Sequence, residues 1–296
     1  MARDFDLEVR WLPFNVETFE FEENALDDLL TERTRLLCIG GASNLTGTIN
    51  DIKTMCSKAR AAGAWSFVDA VQSAPHILPD MADYGCDFFA CSAYKFFGPH
   101  QGILWGRRDV LEQLDPYRVR PAPSELPWSF EQGTQSHEGM AGTTAAVNYF
   151  AWIGREYAET YQIENKYKNE RTKFVHAALD YLFEYEKLLT IDLIEGLQNI
   201  KNVQVQGITE KNALDRRLPT VSFSVIGLNP SLVAEELAKE NIFVWSGHSY
   251  ALEVVKSLNL LDKGGVLRTG PVHYNTINEV HEFLEILDKL ISKELG

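Results

Sequence analysis

The stretch "CSAYKFFGP", residues 91–99, follows "GCDFF", residues 85–89, and sets a lysine, Lys95, among Tyr94, Phe96 and Phe97 at the end of an apolar run. Lysine is seldom fully buried unless it is paired or its charge is removed. Two readings follow. The side chain lays its stem on apolar surface and keeps its amine in water, or the amine is used chemically, as a Schiff base. The flanking sequence decides between them, and with them the fold.

Working outward, residues 1–107 alternate strand-like and helix-like pieces. "LEVRWLPF" (7–14) reads as a strand and "ALDDLLTE" (25–32) as an amphipathic helix. "RLLCIGGAS" (35–43) reads as a buried strand. "NDIKTMCSKARAAGA" (50–64) reads as a helix that opens at a cap-like Asn50 and stops at Gly63. "WSFVDA" (65–70), "CDFFACSAY" (86–94) and "GILWGR" (102–107) read as further short strands. Strands separated by helical crossovers imply an α/β sheet, largely parallel. Ligands of such sheets sit outside the carboxyl ends of the strands. Asn44, Asp69 and Lys95 each lie at or just beyond such an end, which favours a chemical role for Lys95 over a snorkelling one.

Residues 117–142 are rich in proline and polar residues, and a loop of that length tends to be functional. A long helical stretch is expected over 143–186. The remainder alternates again: "NVQVQGI" (202–208), "TVSFSVIG" (220–227), a helix opening at Pro230, "NIFVWSG" (241–247), "GGVLRTGPV" (264–272) and a closing helix over 278–293. The pattern implies a large domain over 1–160 and a smaller α+β domain over 161–296.

The formal net charge is −14, which argues against nucleic acid or an anionic membrane surface as partner and leaves open a small anion held in a local pocket. No run approaches the roughly 18 apolar residues of a membrane span. The charged start, "MARDFDLEVRW", lacks the apolar core of a signal peptide. Cys38, Cys56, Cys86 and Cys91 form no C-x-x-C pair and match no zinc spacing. Buried free thiols at Cys38, Cys86 and Cys91, and a reducing cytoplasmic setting, are expected.

Asp69 and Lys95, at the ends of successive strands, suit pyridoxal 5'-phosphate (PLP): a lysine for the cofactor aldehyde and an aspartate for the ring nitrogen. "SNLTGTIN" (43–50), "FVDAVQSAPH" (67–76), "CDFFACSAYKFFGP" (86–99) and "VLRTGPVHYNT" (266–276) occur in that order. With these motifs the chain resembles the class V aminotransferase and cysteine desulfurase-like family of fold-type I PLP enzymes. The resemblance covers nearly the whole chain. It implies a large domain with a mostly parallel sheet, incomplete at its N-terminus, and a smaller α+β C-terminal domain.

The resemblance also implies roles. Lys95 is the Schiff-base lysine and proton shuttle, Asp69 the partner of the pyridine nitrogen, and Gln72 a donor to the ring's phenolic oxygen. Ser92 and Tyr94 contact the phosphate. Asn44 lies near cofactor and substrate carboxylate, and Arg268 clamps that carboxylate. Gly133 and Thr134 reach the partner subunit's phosphate, so a homodimer is implied. No metal is implied.

Two features depart from the family. The loop that carries the sulfur-accepting cysteine in desulfurases corresponds to "VWSGHSYALEVV" (244–255), where Gly247, His248, Ser249 and Tyr250 replace Gly-His-His-Cys. The family's longer N-terminal part, with its phosphate-holding turn and ring-stacking residue, is not found before "ARDFDLEVRW", as in a fragment or a degenerate relative. The reading is therefore a PLP enzyme acting on a small amino acid by transamination, racemisation or β-elimination. A non-catalytic truncated homologue and a true cysteine desulfurase with another nucleophile remain as alternatives.

Overall fold

A computed structural model describes residues 2–157 and 169–295. In chain order its elements are α1 (Glu23–Leu29), β1 (Leu36–Gly40), α2 (Ile52–Ala61), β2 (Trp65–Asp69), α3 (Met81–Tyr84), β3 (Phe88–Ser92), β4 (Gly102–Gly106), α4 (Arg108–Leu111) and α5 (His137–Tyr157). They continue with α6 (Glu170–Asn199), β5 (Val203–Gln206), β6 (Val221–Val225), α7 (Pro230–Lys239), β7 (Trp245–Gly247), α8 (Leu252–Ser257), β8 (Val266–Thr269) and α9 (Ile277–Leu295). Two compact units result. One comprises Leu30–Gly41 and Asp51–Tyr181; the other comprises Met1–Leu29, Ala42–Asn50 and Leu182–Gly296. The boundary expected between residues 160 and 161 lies outside the described residues.

The first unit holds a sheet in the order β1-β2-β3-β4, parallel throughout except for the antiparallel pairing of β3 with β4. This is the expected α/β arrangement. Ile52, Met55, Cys56 and Ala59 are the buried residues of α2, at the helical spacing that makes one apolar face. That face packs on β1 and β2. The Asp51 carboxylate accepts the Thr54 N–H at 3.0 Å, so Asp51, and not Asn50, caps the helix. Gly63 follows with φ +74°, as a terminating glycine should.

The second unit holds an antiparallel sheet in the order β5-β6-β8-β7. All five residues of β6 are buried. Phe223 packs edge-on against Phe283 of α9 and joins Leu193, Leu197, Leu237 and Leu287 in the core. On β6, Ser222 alternates with these core residues, and its hydroxyl donates to the Leu45 carbonyl at 2.6 Å, which seats the 42–50 turn on the sheet.

The structure corrects several expectations. Residues 7–14 form no strand: they are mostly exposed, and their one β-bridge among the described residues joins Phe14 to Phe21, because alternation alone supplies no neighbouring strand to bond. β1 is an edge strand, and Cys38 on it is exposed; Cys91 is half-buried, whereas Cys56 and Cys86 are buried. Of the helical stretch expected over 143–186, residues 143–157 lie in α5, residues 158–168 lie outside the described residues, and α6 continues beyond Glu186 to Asn199.

Candidate functional site

β3 ends at Ser92 and passes into a single 3-10 turn, Ala93–Phe96, that carries Lys95. Ala93 and Phe96 are buried and anchor the turn, whereas Lys95 is half-buried and Tyr94 exposed. The buried neighbours of Lys95 thus fix the backbone of the turn that carries it. Its Nζ lies 5.6 Å from the centre of the Tyr94 ring. The turn is wound tightly. Phe97 takes the left-handed conformation, Gly98 N–H donates to Ala93 O at 2.9 Å, and Ala93 N–H donates to Gln101 O at 2.8 Å. A side chain at 98 would meet Ala93 O and Cβ at 3.0 Å, so the glycine is required by close approach. α5 supports the same loop: Phe97 packs edge-on against Tyr149 and at 6.0 Å from Phe150.

Asp69 is the last residue of β2 and pairs with Ala90 of β3, two positions before Ser92. Asp69 and the Lys95 turn therefore leave neighbouring parallel strands on one rim. Asp69 Oδ1 accepts the Val71 N–H at 3.0 Å. Its Oδ2 has no hydrogen bond among the described residues, nor does Ser92 Oγ. Gln72 is half-buried in the turn that follows Asp69. Tyr94 stacks on His100 with ring centres 5.2 Å apart. Gly133, with φ +72°, and Thr134 are exposed in the segment before α5. A lysine amine at one strand end, a carboxylate with an open oxygen at the next, and an unengaged hydroxyl between them fit PLP: an amine for its aldehyde, an anion for its protonated ring nitrogen, a donor for its phosphate.

Arg268 and Asn44 form a separate constellation within the other unit. Arg268 stands on β8, an interior strand, opposite Ser222 of β6 and Trp245 of β7. Its Nη1 donates to Asn44 O at 2.9 Å. Nε and Nη2 have no partner among the described residues, and no carboxylate pairs with them. Burial pulls the pKa of this guanidinium down, as expected for a cation without a counter-charge. Asn44 Nδ2 donates to Ser249 O at 2.7 Å, so one of its two amide N–H donors is engaged.

The turn beneath Asn44 is fixed from several sides. Ser43 Oγ accepts Thr46 N–H at 3.1 Å, and Gly47, with φ +75°, turns the chain. Arg217, 2% exposed, donates to the carbonyls of Ile208 and Thr220, and Leu218 N–H donates to Gly47 O at 2.9 Å. Arg217 has no carboxylate partner among the described residues, and burial pulls its pKa down to about 10. Sequence reasoning passed over Arg217 and the close-packed Gly41 and Gly98. Only the glycines carried a signal, as breaks at strand ends.

In the 244–255 loop Ser249 and Tyr250 both adopt left-handed backbone conformations, φ +48° and +62°. The Ser249 side chain is buried, and Tyr250 is exposed. Burial pushes the thiols of Cys56, Cys86 and Cys91 up, and partial desolvation does the same for the exposed Cys38, which disfavours the thiolate in each. Among the described residues no group of three or more metal-ligating side chains is assembled, and no helix is long and apolar enough to cross a membrane.

Comparison with known proteins identifies the relatives of the chain. The family model for aminotransferase class-V matches residues 1–172 and 169–283. The chain is 31% identical over 285 residues to the aminotransferase-like protein FGM3 of Gibberella zeae, covering 95% of this chain and 65% of that protein. It is 37% identical over 175 residues to a cysteine desulfurase of Pectobacterium carotovorum, covering 55% of this chain and 43% of that protein. The chain thus spans less than two thirds of the length of either relative. Among solved structures, the apo cysteine desulfurase of Thermococcus onnurineus NA1 superposes with a TM-score of 0.83 at 24% identity, covering 99% of this chain and 68% of that one. It shares the fold-type I architecture. Class V aminotransferases and cysteine desulfurases depend on pyridoxal phosphate, and the chain belongs to the aminotransferase class-V family.

Proposed function

We propose that the protein is a PLP-dependent enzyme acting on the α-carbon of a small amino acid. The observation that carries this reading is the pair at adjacent strand ends, Lys95 on its tight turn and Asp69 with an open Oδ2. When bound, the cofactor supplies an electron-withdrawing ring conjugated to the substrate's α-carbon. Lys95 Nζ would hold the cofactor through its aldehyde, and the same amine would serve as the base that takes the proton from the substrate's α-carbon. Asp69 Oδ2 would accept a hydrogen bond from the ring nitrogen and keep that nitrogen protonated. Ser92 Oγ and Tyr94 bind the phosphate, and Gln72 orients the ring through its phenolic oxygen.

In the other unit, the Nε and Nη2 edge of Arg268 is a fork for two carboxylate oxygens. Asn44 O holds that fork in one orientation. The chemistry is transamination, racemisation or β-elimination. Desulfuration with persulfide transfer requires a thiolate, and the 244–255 loop offers Ser249 and Tyr250 instead. The reading includes a homodimer, with Gly133 and Thr134 facing the partner's phosphate, and a cytoplasmic setting.

The test is reconstitution with PLP followed by borohydride reduction. The visible band should bleach, and the phosphopyridoxyl mass should appear on the Lys95 peptide. Lys95→Ala should retain the fold and lose both signals. A reducible band in Lys95→Ala, or label on another lysine, would refute the assignment.

A further inference from the structure

Ser249 presents an anomaly that the proposed roles leave unexplained. The residue is 6% exposed, and its Oγ is enclosed without a hydrogen-bond partner. A buried hydroxyl is ordinarily bonded, because leaving water without a replacement partner is unfavourable. Its backbone is unfavourable as well: φ is +48° at Ser249 and +62° at Tyr250, a region that non-glycine residues avoid. Unfavourable features of this kind persist where surrounding structure imposes them, and they concentrate at ligand sites. Here the imposing contact is identifiable. Asn44 Nδ2 holds the Ser249 carbonyl at 2.7 Å, and the carbonyl of the same Asn44 takes Nη1 of Arg268 at 2.9 Å. One residue thus ties an unbonded hydroxyl to an unpaired guanidinium.

We propose that Ser249 is a ligand-contacting residue of the Arg268 subsite, its hydroxyl donating to a carboxylate that the guanidinium binds. The inference rests on the reading of Arg268 as a carboxylate fork. An ionised carboxylate offers about four lone-pair sites. Nε and Nη2 of Arg268 occupy two, and a hydroxyl donor completes a third. Because Ser249 Oγ has no bond to break, its rotation toward the ligand meets no opposing hydrogen bond. Tyr250, the neighbouring residue of the loop, is 92% exposed and leaves this role to Ser249.

The experiment titrates the full-length, isotope-labelled chain with propionate and follows the Arg268 Nε–H and Ser249 amide resonances, with uncharged propionamide as control. Propionate should move both resonances with one Kd, and propionamide should move neither. Ser249→Ala should weaken propionate about tenfold, the size of one hydrogen bond to a charged group. Ser249→Gly separates binding from folding. Glycine suits the left-handed backbone, so this variant should unfold at a higher temperature and still bind propionate about tenfold more weakly. A structural role alone would move stability and leave the Kd unchanged. Wild-type Kd values in Ser249→Ala and Ser249→Gly, with binding lost in Arg268→Lys, would overturn the role of Ser249 and leave the Arg268 fork standing. Wild-type affinity in Arg268→Lys would overturn the fork and, with it, this inference.

Discussion

Gly41→Ala tests how the strand ends around Asp69 are held. Gly41 follows β1, and its N–H donates to Asp69 O at 2.7 Å. A Cβ at this position would lie 2.2 Å from Ser73 Oγ, 3.0 Å from Ser73 Cβ and 3.6 Å from Ala70 Cα. The first contact is more than 1 Å short of ordinary packing, which begins at 3.4 Å. Ser73 is 8% exposed, and its carbonyl accepts the N–H groups of His76 and Ile77 at 3.0 and 2.9 Å, so the turn cannot retreat freely. Overpacking of this kind costs about 1–3 kcal/mol. Restricting the unfolded chain returns about 0.4–1 kcal/mol, leaving a net loss of about 1–2 kcal/mol.

The partner substitutions grade the effect. Ser73→Ala removes the 2.2 Å contact and keeps the 3.0 Å one; Ser73→Gly removes both. In urea unfolding followed by far-ultraviolet circular dichroism, Gly41→Ala should lower the midpoint, Gly41→Ala/Ser73→Ala should recover part of it, and Gly41→Ala/Ser73→Gly most of it. The double-mutant cycle should show a coupling of about 1–2 kcal/mol. Because the displaced turn carries Gln72 and follows Asp69, Gly41→Ala should also reduce PLP captured on Lys95 at a fixed PLP concentration. Effects of Gly41→Ala and Ser73→Gly that add to within about 0.5 kcal/mol would refute the reasoning.

Arg268→Lys should raise KM for amino-acid substrates at least about tenfold while borohydride-fixed PLP on Lys95 stays at the wild-type level, since an ammonium cannot reproduce the fork; loss of PLP would assign Arg268 to the cofactor. Burial pushes the Cys86 thiol up to about 11 from 9.0, so the unfolded chain sheds that proton first as pH rises. The stability this thiol contributes is present below pH 9 and is lost as pH climbs through 11, and Cys86→Ala should flatten that part of a urea-midpoint profile. Asp51→Ala should destabilise the first unit by about 1 kcal/mol through loss of the α2 cap, read from the urea midpoint. L-Cysteine should leave no persulfide on Cys38, Cys56, Cys86 or Cys91 of the PLP-loaded chain; mass spectrometry finding one would reveal a nucleophile outside the 244–255 loop.

What could be read from sequence was local and periodic. Ile52, Met55, Cys56 and Ala59 announce α2 by spacing alone, and the apolar runs into Asp69 and Ser92 announce β2 and β3. Adjacent strand ends then follow from the rule that parallel strands deliver functional residues to one rim. The rest depended on pairings between distant residues. Residues 7–14 alternate like a strand but belong to no sheet among the described residues, and nothing in the run around Cys38 reveals that β1 lies at an edge, where Cys38 is exposed. Asn50 and Asp51 are chemically similar caps, and only the reach to the Thr54 N–H separates them. The assignment of 42–50 to a unit built mainly from 182–296 has no local signature. Neither has the Ser249 backbone, whose partner Asn44 stands 205 residues away.

The bond from Arg268 to Asn44 joins positions 224 residues apart, and that separation has a consequence in time. At a synthesis rate of about 5–20 residues per second, the nascent chain carries Asn44 for roughly 10–45 s before Arg268 is made. Until residues 216–222 are made the turn depends on local bonds, among them Ser43 N–H to Thr48 O at 2.8 Å, Gly47 N–H to Ser43 O at 3.1 Å and Thr46 N–H on Ser43 Oγ at 3.1 Å; Leu218 N–H and the Ser222 hydroxyl then join it ahead of Arg268. The short polar sequence "SNLTGT" is suited to that wait: it presents few apolar side chains for aggregation and keeps its shape by local hydrogen bonding until the strand that completes it arrives.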